Sequence, residues 1–148
     1  MADHSQPAIA LATKAVELEL EYQPGVCNIG PEEIAMRRRA GHASAAVTLG
    51  LLIVILVTRA PRAARLLIAM PAAGAASGYL QARHRFCAGY GSRGVFNLGR
   101  VGDTTAVADP SARAADLATS RRIGLQSGLV GLAAGIAAVA LPARSARD

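Results

Sequence analysis

Aromatic side chains are nearly missing from this sequence. Three tyrosines, two phenylalanines and no tryptophan in 148 residues leave little of the ring surface with which a soluble core of this size is usually packed. Lysine is scarcer still, since fifteen of the sixteen basic residues are arginine and only Lys14 is not. Cysteine occurs twice, at Cys27 and Cys87, which leaves one intrachain pairing. A basic stretch followed by an apolar core is lacking in the first 25 residues, so no secretory signal is read there and the N-terminal segment is expected to be retained. A P-loop and a Ser/His/Asp set at a recognisable spacing are also lacking.

What the chain has instead is aliphatic. Hydrophobic residues make up 52% and mean hydropathy is +0.31, although 18% of residues are charged. Charge and apolar surface are therefore segregated along the chain, as in a membrane protein. The net charge is +6 and the pI about 10.3. The arginines gather at the ends of apolar runs, as Arg37, Arg38 and Arg39, then Arg59, Arg62 and Arg65, then Arg83 and Arg85, then Arg121 and Arg122. That placement suits anionic lipid headgroups. Nucleic acid is not an expected partner, because a basic face with aromatic or groove-reading elements is missing.

The order of segments gives the domains. Residues 1–42 form an N-terminal extramembrane segment. Within it Val16 to Tyr22 alternates apolar and acidic residues, the period of a half-exposed strand. After the turn signal Gln23-Pro24-Gly25, the stretch "GVCNIGPEEIAMRRR" places Gly30 as an N-cap and Pro31 at the first helical position. Glu32 and Glu33 then meet the positive end of the helix dipole. A short interfacial helix over 31–42 is expected, leading into the membrane.

Residues 43–142 read as a three-span membrane domain, mainly α, with spans at about 43–58, 66–82 and 123–142. The second contains Pro71, expected to kink it. GxxxG spacings occur at Gly74 and Gly78, Gly124 and Gly128, and Gly131 and Gly135, and are expected to pack helices closely. No carboxylate lies in any span, so an ion or proton pathway has no carrier there. The loop 83–122 is rich in glycine, and "GVFNLG" with "TTAV" is expected to form a small hairpin. Gly89, Gly91 and Gly94 have G-x-G-x-x-G spacing, but without a preceding strand they read as a turn rather than a dinucleotide site. Asp109-Pro110 is a second N-cap and first-turn pair. Residues 143–148 are a basic tail. Taken singly, each apolar run would also suit the buried helix of a soluble bundle; three together, flanked by arginine, favour the membrane.

With three spans, eleven basic residues fall on the face of the N-terminus and the 83–122 loop, and five on the other. The positive-inside bias then predicts a cytoplasmic N-terminus in a bacterial inner membrane. Cys27 and Cys87 share that face, with His84 three residues before Cys87 and His42 at the start of the first span. Cys27, His84 and Cys87, with His42, are a candidate zinc-type ligand set; Cys27 and Cys87 are a candidate disulfide; packed, inert thiols are the third option.

The segments "YQPGVCNIGPEEIAMRRRAGH" and "AGAASGYLQARHRFCAGYGSRGVFNLG" resemble those of a family of small multi-span membrane proteins of high-GC bacteria. The resemblance covers roughly residues 22 to 140. It implies a membrane location and carries over no activity and no functional residue.

The expectation is thus a non-enzymatic accessory or structural membrane subunit that needs no cofactor. It would pack with other membrane proteins or with itself, with Arg37, Arg38, Arg39, Arg83 and Arg85 at the headgroups. The alternative is a thiol-redox or metal-binding membrane module built on Cys27, Cys87 and His84.

Overall fold

A computed structural model of the chain describes residues 21–142. Most of the strand expected at Val16 to Tyr22, and the basic tail, lie outside the described residues.

Helix α1 runs from Pro31 to Val57. It starts as the sequence predicts: Gly30 is extended, Pro31 opens the first turn, and Glu32 and Glu33 follow. The separate interfacial helix is corrected, because 31–42 and the first span form one helix of 27 residues. Arg37 to Arg39 are good helix formers and nothing between them and His42 breaks the hydrogen-bond ladder. At the far end Arg59 takes a left-handed conformation (φ 54°) and turns the chain back.

The second span also differs from expectation. A 3-10 helix covers Arg62–Ile68, and α2 covers only Ala69–His84. Pro71 therefore falls in the first turn of α2, where a missing N–H costs nothing, and not at a mid-span kink. Sixteen α-helical residues reach about 24 Å, short of the roughly 30 Å hydrocarbon layer. Among the described residues two helices are long and apolar enough to cross a membrane, α1 and, further along, Pro110–Ala140.

Between them lies the cap. It holds a six-residue helix α3 (Ala88–Arg93) and the expected hairpin, with β1 (Val95–Phe96) antiparallel to β2 (Thr105–Ala106). Val95 pairs with Ala106 and Phe96 with Thr105. The final helix α4 (Pro110–Ala140) is capped as predicted. The Asp109 carboxylate accepts from the backbone N–H groups of Ser111 and Ala112.

Small residues bring the three long helices together. A Cβ on Gly78 would lie 2.6 Å from the Gly41 nitrogen, and one on Gly74 would lie 3.1 Å from Ser44 Oγ. At the other end of the pair, Ile55 of α1 packs with Ile68 and Ala72, so α1 and α2 run antiparallel. Gly131 lies against Ala69 and Ala73, and Gly135 against Ala69, which sets α4 antiparallel to α2. Two of the three GxxxG pairs thus work within the chain. The third does not: nothing lies within 4 Å of a Cβ built on Gly124 or Gly128.

Seams this close need few rings: Tyr79, packed on Gly41, is the aromatic at the α1–α2 contact. Many large side chains are left outside. Val47, Leu49, Ile53 and Val54 of α1, and Leu125, Leu129, Leu132 and Ile136 of α4, are all exposed.

The end of the bundle opposite the cap is closed by Arg65. Its side chain is buried, and Nη1 donates to the carbonyls of Ala138 (3.2 Å) and Leu141 (2.6 Å). The last turn of α4 has no basic residue of its own, so this guanidinium supplies the positive charge that a helix C-terminus favours.

Candidate functional site

The segment Cys27–Gly30 is held on both sides. Asn28 clasps Cys87: Oδ1 accepts from the Cys87 N–H at 2.6 Å and Nδ2 donates to its carbonyl at 3.1 Å. The Arg85 carbonyl accepts from the N–H groups of Asn28 and Ile29. Arg85 ends α2 in a left-handed conformation, φ 51°, unusual for a residue with a side chain. On the other side the Asn97 N–H donates to the Asn28 carbonyl (2.9 Å), and the Gly30 N–H to the Asn97 carbonyl (2.8 Å). Only glycine fits at position 30, because a Cβ would lie 2.5 Å from the Leu98 carbonyl oxygen.

Two buried carboxylates tie this assembly to the long helices. Glu33 is fully buried; its Oε1 accepts from Tyr90 Oη (2.7 Å) and Asn97 Nδ2 (3.3 Å), and its Oε2 pairs with Arg37 Nη2 (3.3 Å). The hydrogen bond to Glu33, followed by burial, pushes the Tyr90 phenol above its ordinary pKa. Arg37 and Arg93 both stand over the Tyr90 ring, at 5.9 and 5.6 Å from its centroid. Asp116, also fully buried, accepts from Tyr22 Oη (2.9 Å) and the Gly25 N–H (2.7 Å). Thr119 donates to the Gly25 carbonyl, and the Tyr22 ring stacks on Phe96 at 4.5 Å. Each carboxylate is held by hydrogen bonds inside the fold, as clamps are, rather than at the floor of a cleft where a reacting group would sit.

An open cleft of about 570 Å³ lies beside the clamps. Gln23, Val26 and Cys27 form one wall; Arg83, His84 and Arg85, at the end of α2, form another; Thr119, Arg122, Ile123 and Gln126 of α4 close it. Glu21 is the one carboxylate among the described residues of the lining.

The predicted metal set is not assembled. Among the described residues no three His, Cys, Asp or Glu side chains gather as a metal would require. Cys27 and His84 share the cleft, whereas Cys87 is buried with Ile29 and Tyr90. His42 is engaged elsewhere: its Nδ1 lies 2.8 Å from Tyr79 Oη. Both cysteines are free and buried, so the candidate disulfide is not formed. Asn28 occupies the space between the two segments and bonds the Cys87 backbone itself. Burial pushes the Cys27 thiol pKa up, against smaller opposing effects from the Ile29 backbone and the Arg85 charge.

Of the arginines expected at headgroups, Arg38, Arg39, Arg83 and Arg85 are exposed. Arg37 is drawn inward to Glu33. Sequence reasoning missed Glu33, Asp116, Asn28 and Asn97 as buried polar groups. Glu33 and Arg37 did carry a signal, an i,i+4 acid–base pair at a helix start.

Comparison with known proteins brings no match: no family model, curated protein or solved structure is similar to the chain.

Proposed function

We propose that this chain is an integral protein of a bacterial inner membrane that acts without catalysis, as an accessory or structural subunit packing with other membrane proteins or with a copy of itself. The observation that carries this reading is the outer surface of α1 and α4. Large aliphatic side chains stand outward there, while the cap buries Asn28, Glu33, Asn97 and Asp116. Long rows of exposed aliphatic side chains on two helices suit lipid rather than water. In this reading the 3-10 helix and α2 together make a third crossing, antiparallel to its neighbours. The cap then lies on the cytoplasmic side, where the arginine excess falls.

The contact face is assigned to α4. Gly124 and Gly128 open a shallow track flanked by exposed Leu125 and Leu129, and no described residue fills it. Close approach of a second helix there would follow the same logic as the seams within the chain. The alternative thiol or metal module lacks a converged ligand set among the described residues.

Light scattering of protein purified in mild detergent, with analysis of what co-purifies, tests the reading. An oligomer or a stoichiometric partner is expected, lost on Gly128→Leu. A stable monomer that carries nothing with it would overturn the subunit role. Failure of the protein to float with vesicles would overturn the membrane location.

A further inference from the structure

The cleft beside Cys27 has a charge that its surroundings do not balance. Arg83 and Arg85 come from the end of α2, and Arg122 from α4. Among the described residues Glu21 is the one carboxylate of the lining, the one ion pair is Arg37–Glu33, and none of the three guanidiniums is paired with another described residue. The backbone at the end of α2 does not occupy them either. The Gln81 carbonyl accepts from Arg85 and Phe86 N–H, and the Arg85 carbonyl from Asn28 and Ile29 N–H.

Shape adds to charge. A volume of about 570 Å³ lies in the range of small-molecule sites, roughly 300–1,000 Å³. Arg85 takes the left-handed conformation common at a helix C-terminus; its carbonyl is anchored by two backbone hydrogen bonds from the N-terminal segment, and that same residue lines the cleft. Val26, Ile123 and Gln126 extend the lining. Ile123 begins the apolar length of α4, so the cleft reaches from the arginine level to the edge of the hydrocarbon.

We infer that this cleft binds a phosphate monoester, held by Arg83, Arg85 and Arg122 with its substituent running along Val26 and Ile123. Among the described residues of the lining, three guanidiniums less one carboxylate leave two positive charges, which match the near-dianion of a monoester at neutral pH and overmatch the monoanion of a phosphodiester. Arginine rather than lysine suits the task, since its planar fork meets phosphate oxygens in pairs. The same chemistry is offered by the headgroup of phosphatidate and by free phosphate. The lipid source rests on the membrane reading above.

The test is native mass spectrometry of the detergent-solubilised chain with dioleoyl phosphatidate, dioleoyl phosphatidylcholine or inorganic phosphate, alongside vesicle flotation. One retained phosphatidate per chain is expected, at least tenfold preferred over phosphatidylcholine. Arg83→Gln/Arg122→Gln should lower retention at least tenfold. Arg59→Gln/Arg62→Gln, exposed at the other end of the bundle, should leave it unchanged. Flotation and circular dichroism of each variant separate loss of the site from loss of the fold. Equal retention of both lipids, or no effect of the cleft variant, overturns the inference while flotation keeps the membrane reading. If the chain does not float, the inorganic phosphate arm decides: binding lost with Arg83→Gln/Arg122→Gln supports the site with a soluble ligand, and no binding overturns it.

Discussion

Tyr90 donates a 2.7 Å hydrogen bond to the carboxylate of Glu33, a residue 57 positions earlier in the chain. The bond joins the start of α1 to α3, and Asn97 and Arg37 join it at the same carboxylate. The cap is therefore organised around one buried charge. Removing that charge strands the donors of Tyr90 and Arg37 and leaves Asn97 Nδ2 with the Arg100 carbonyl alone, whereas removing the Tyr90 hydroxyl strands one acceptor position.

Glu33→Ala is expected to destabilise the protein by about 3 kcal/mol, because it leaves part-buried Arg37 and the buried Tyr90 hydroxyl without their shared acceptor. Tyr90→Phe should cost less, about 1.5–2 kcal/mol, as the loss of one hydrogen bond to a charged acceptor. Denaturant titration in detergent, followed by circular dichroism, checks the order. A cost for Tyr90→Phe equal to that of Glu33→Ala would contradict the shared-acceptor account.

Alkaline pH should loosen the cap. The folded chain raises the phenol pKa of Tyr22, chiefly by burial and then by its hydrogen bond to Asp116, and that of Tyr90, chiefly by its hydrogen bond to Glu33. A raised folded pKa means that the native state holds its proton more tightly than the unfolded chain. The associated stability is whole below the ordinary phenol value of 10.0 and declines as pH climbs from there through the folded values. Stability measured against pH should fall above pH 10, and Tyr22→Phe/Tyr90→Phe should flatten that fall. Tyrosinate absorbance follows the transition, and the chain has no tryptophan to overlap with it.

The glycines divide into two groups with opposite expected responses. Gly78→Ala drives a methyl group to 2.6 Å from the Gly41 backbone, so α1 and α2 must separate. A loss of about 2 kcal/mol is expected, in the range for overpacking. Gly50→Ala in α1 meets no described residue within 4 Å and gains helix propensity, about 0.5–1 kcal/mol. Apparent melting temperatures of the two variants should move in opposite directions.

Thiol labelling should report on the N-terminal segment. Cys27 is 7% exposed and Cys87 2%, and burial raises the Cys27 pKa. Maleimide at neutral pH should react slowly with both in the folded chain. Asp116→Asn weakens the acceptor for Tyr22 and Gly25 and should speed labelling of Cys27 severalfold, with Cys87 little changed. Mass spectrometry of labelled peptides separates the two sites, and equal acceleration of both would mean that the cap opens as one unit.

Much of the architecture was legible locally. Gly30-Pro31 and Asp109-Pro110 mark their helix starts because capping depends on neighbours within a turn. The hairpin at Val95–Phe96 and Thr105–Ala106 follows from short runs set between glycine turns. The division of 62–84 into a 3-10 and an α part was not legible, since both are compatible with the same apolar run. The place of Pro71 also depended on where the chain re-entered regular helix after Arg59. The role of Glu33 was half legible: its position in the first turn predicted a favourable dipole, but not that Tyr90 and Asn97 would bury it.

The sequence by itself determined the mainly helical class, the long aliphatic runs and the clustering of arginine at their ends, because these depend on composition and on spacing within one segment. Tertiary structure alone decided which glycines are spent on internal seams, that Asn28 stands between Cys27 and Cys87, and that three arginines from two helices share one cleft. Those facts depend on which segments meet across 50 to 100 positions, and that is set by the close packing of small residues along three antiparallel helices.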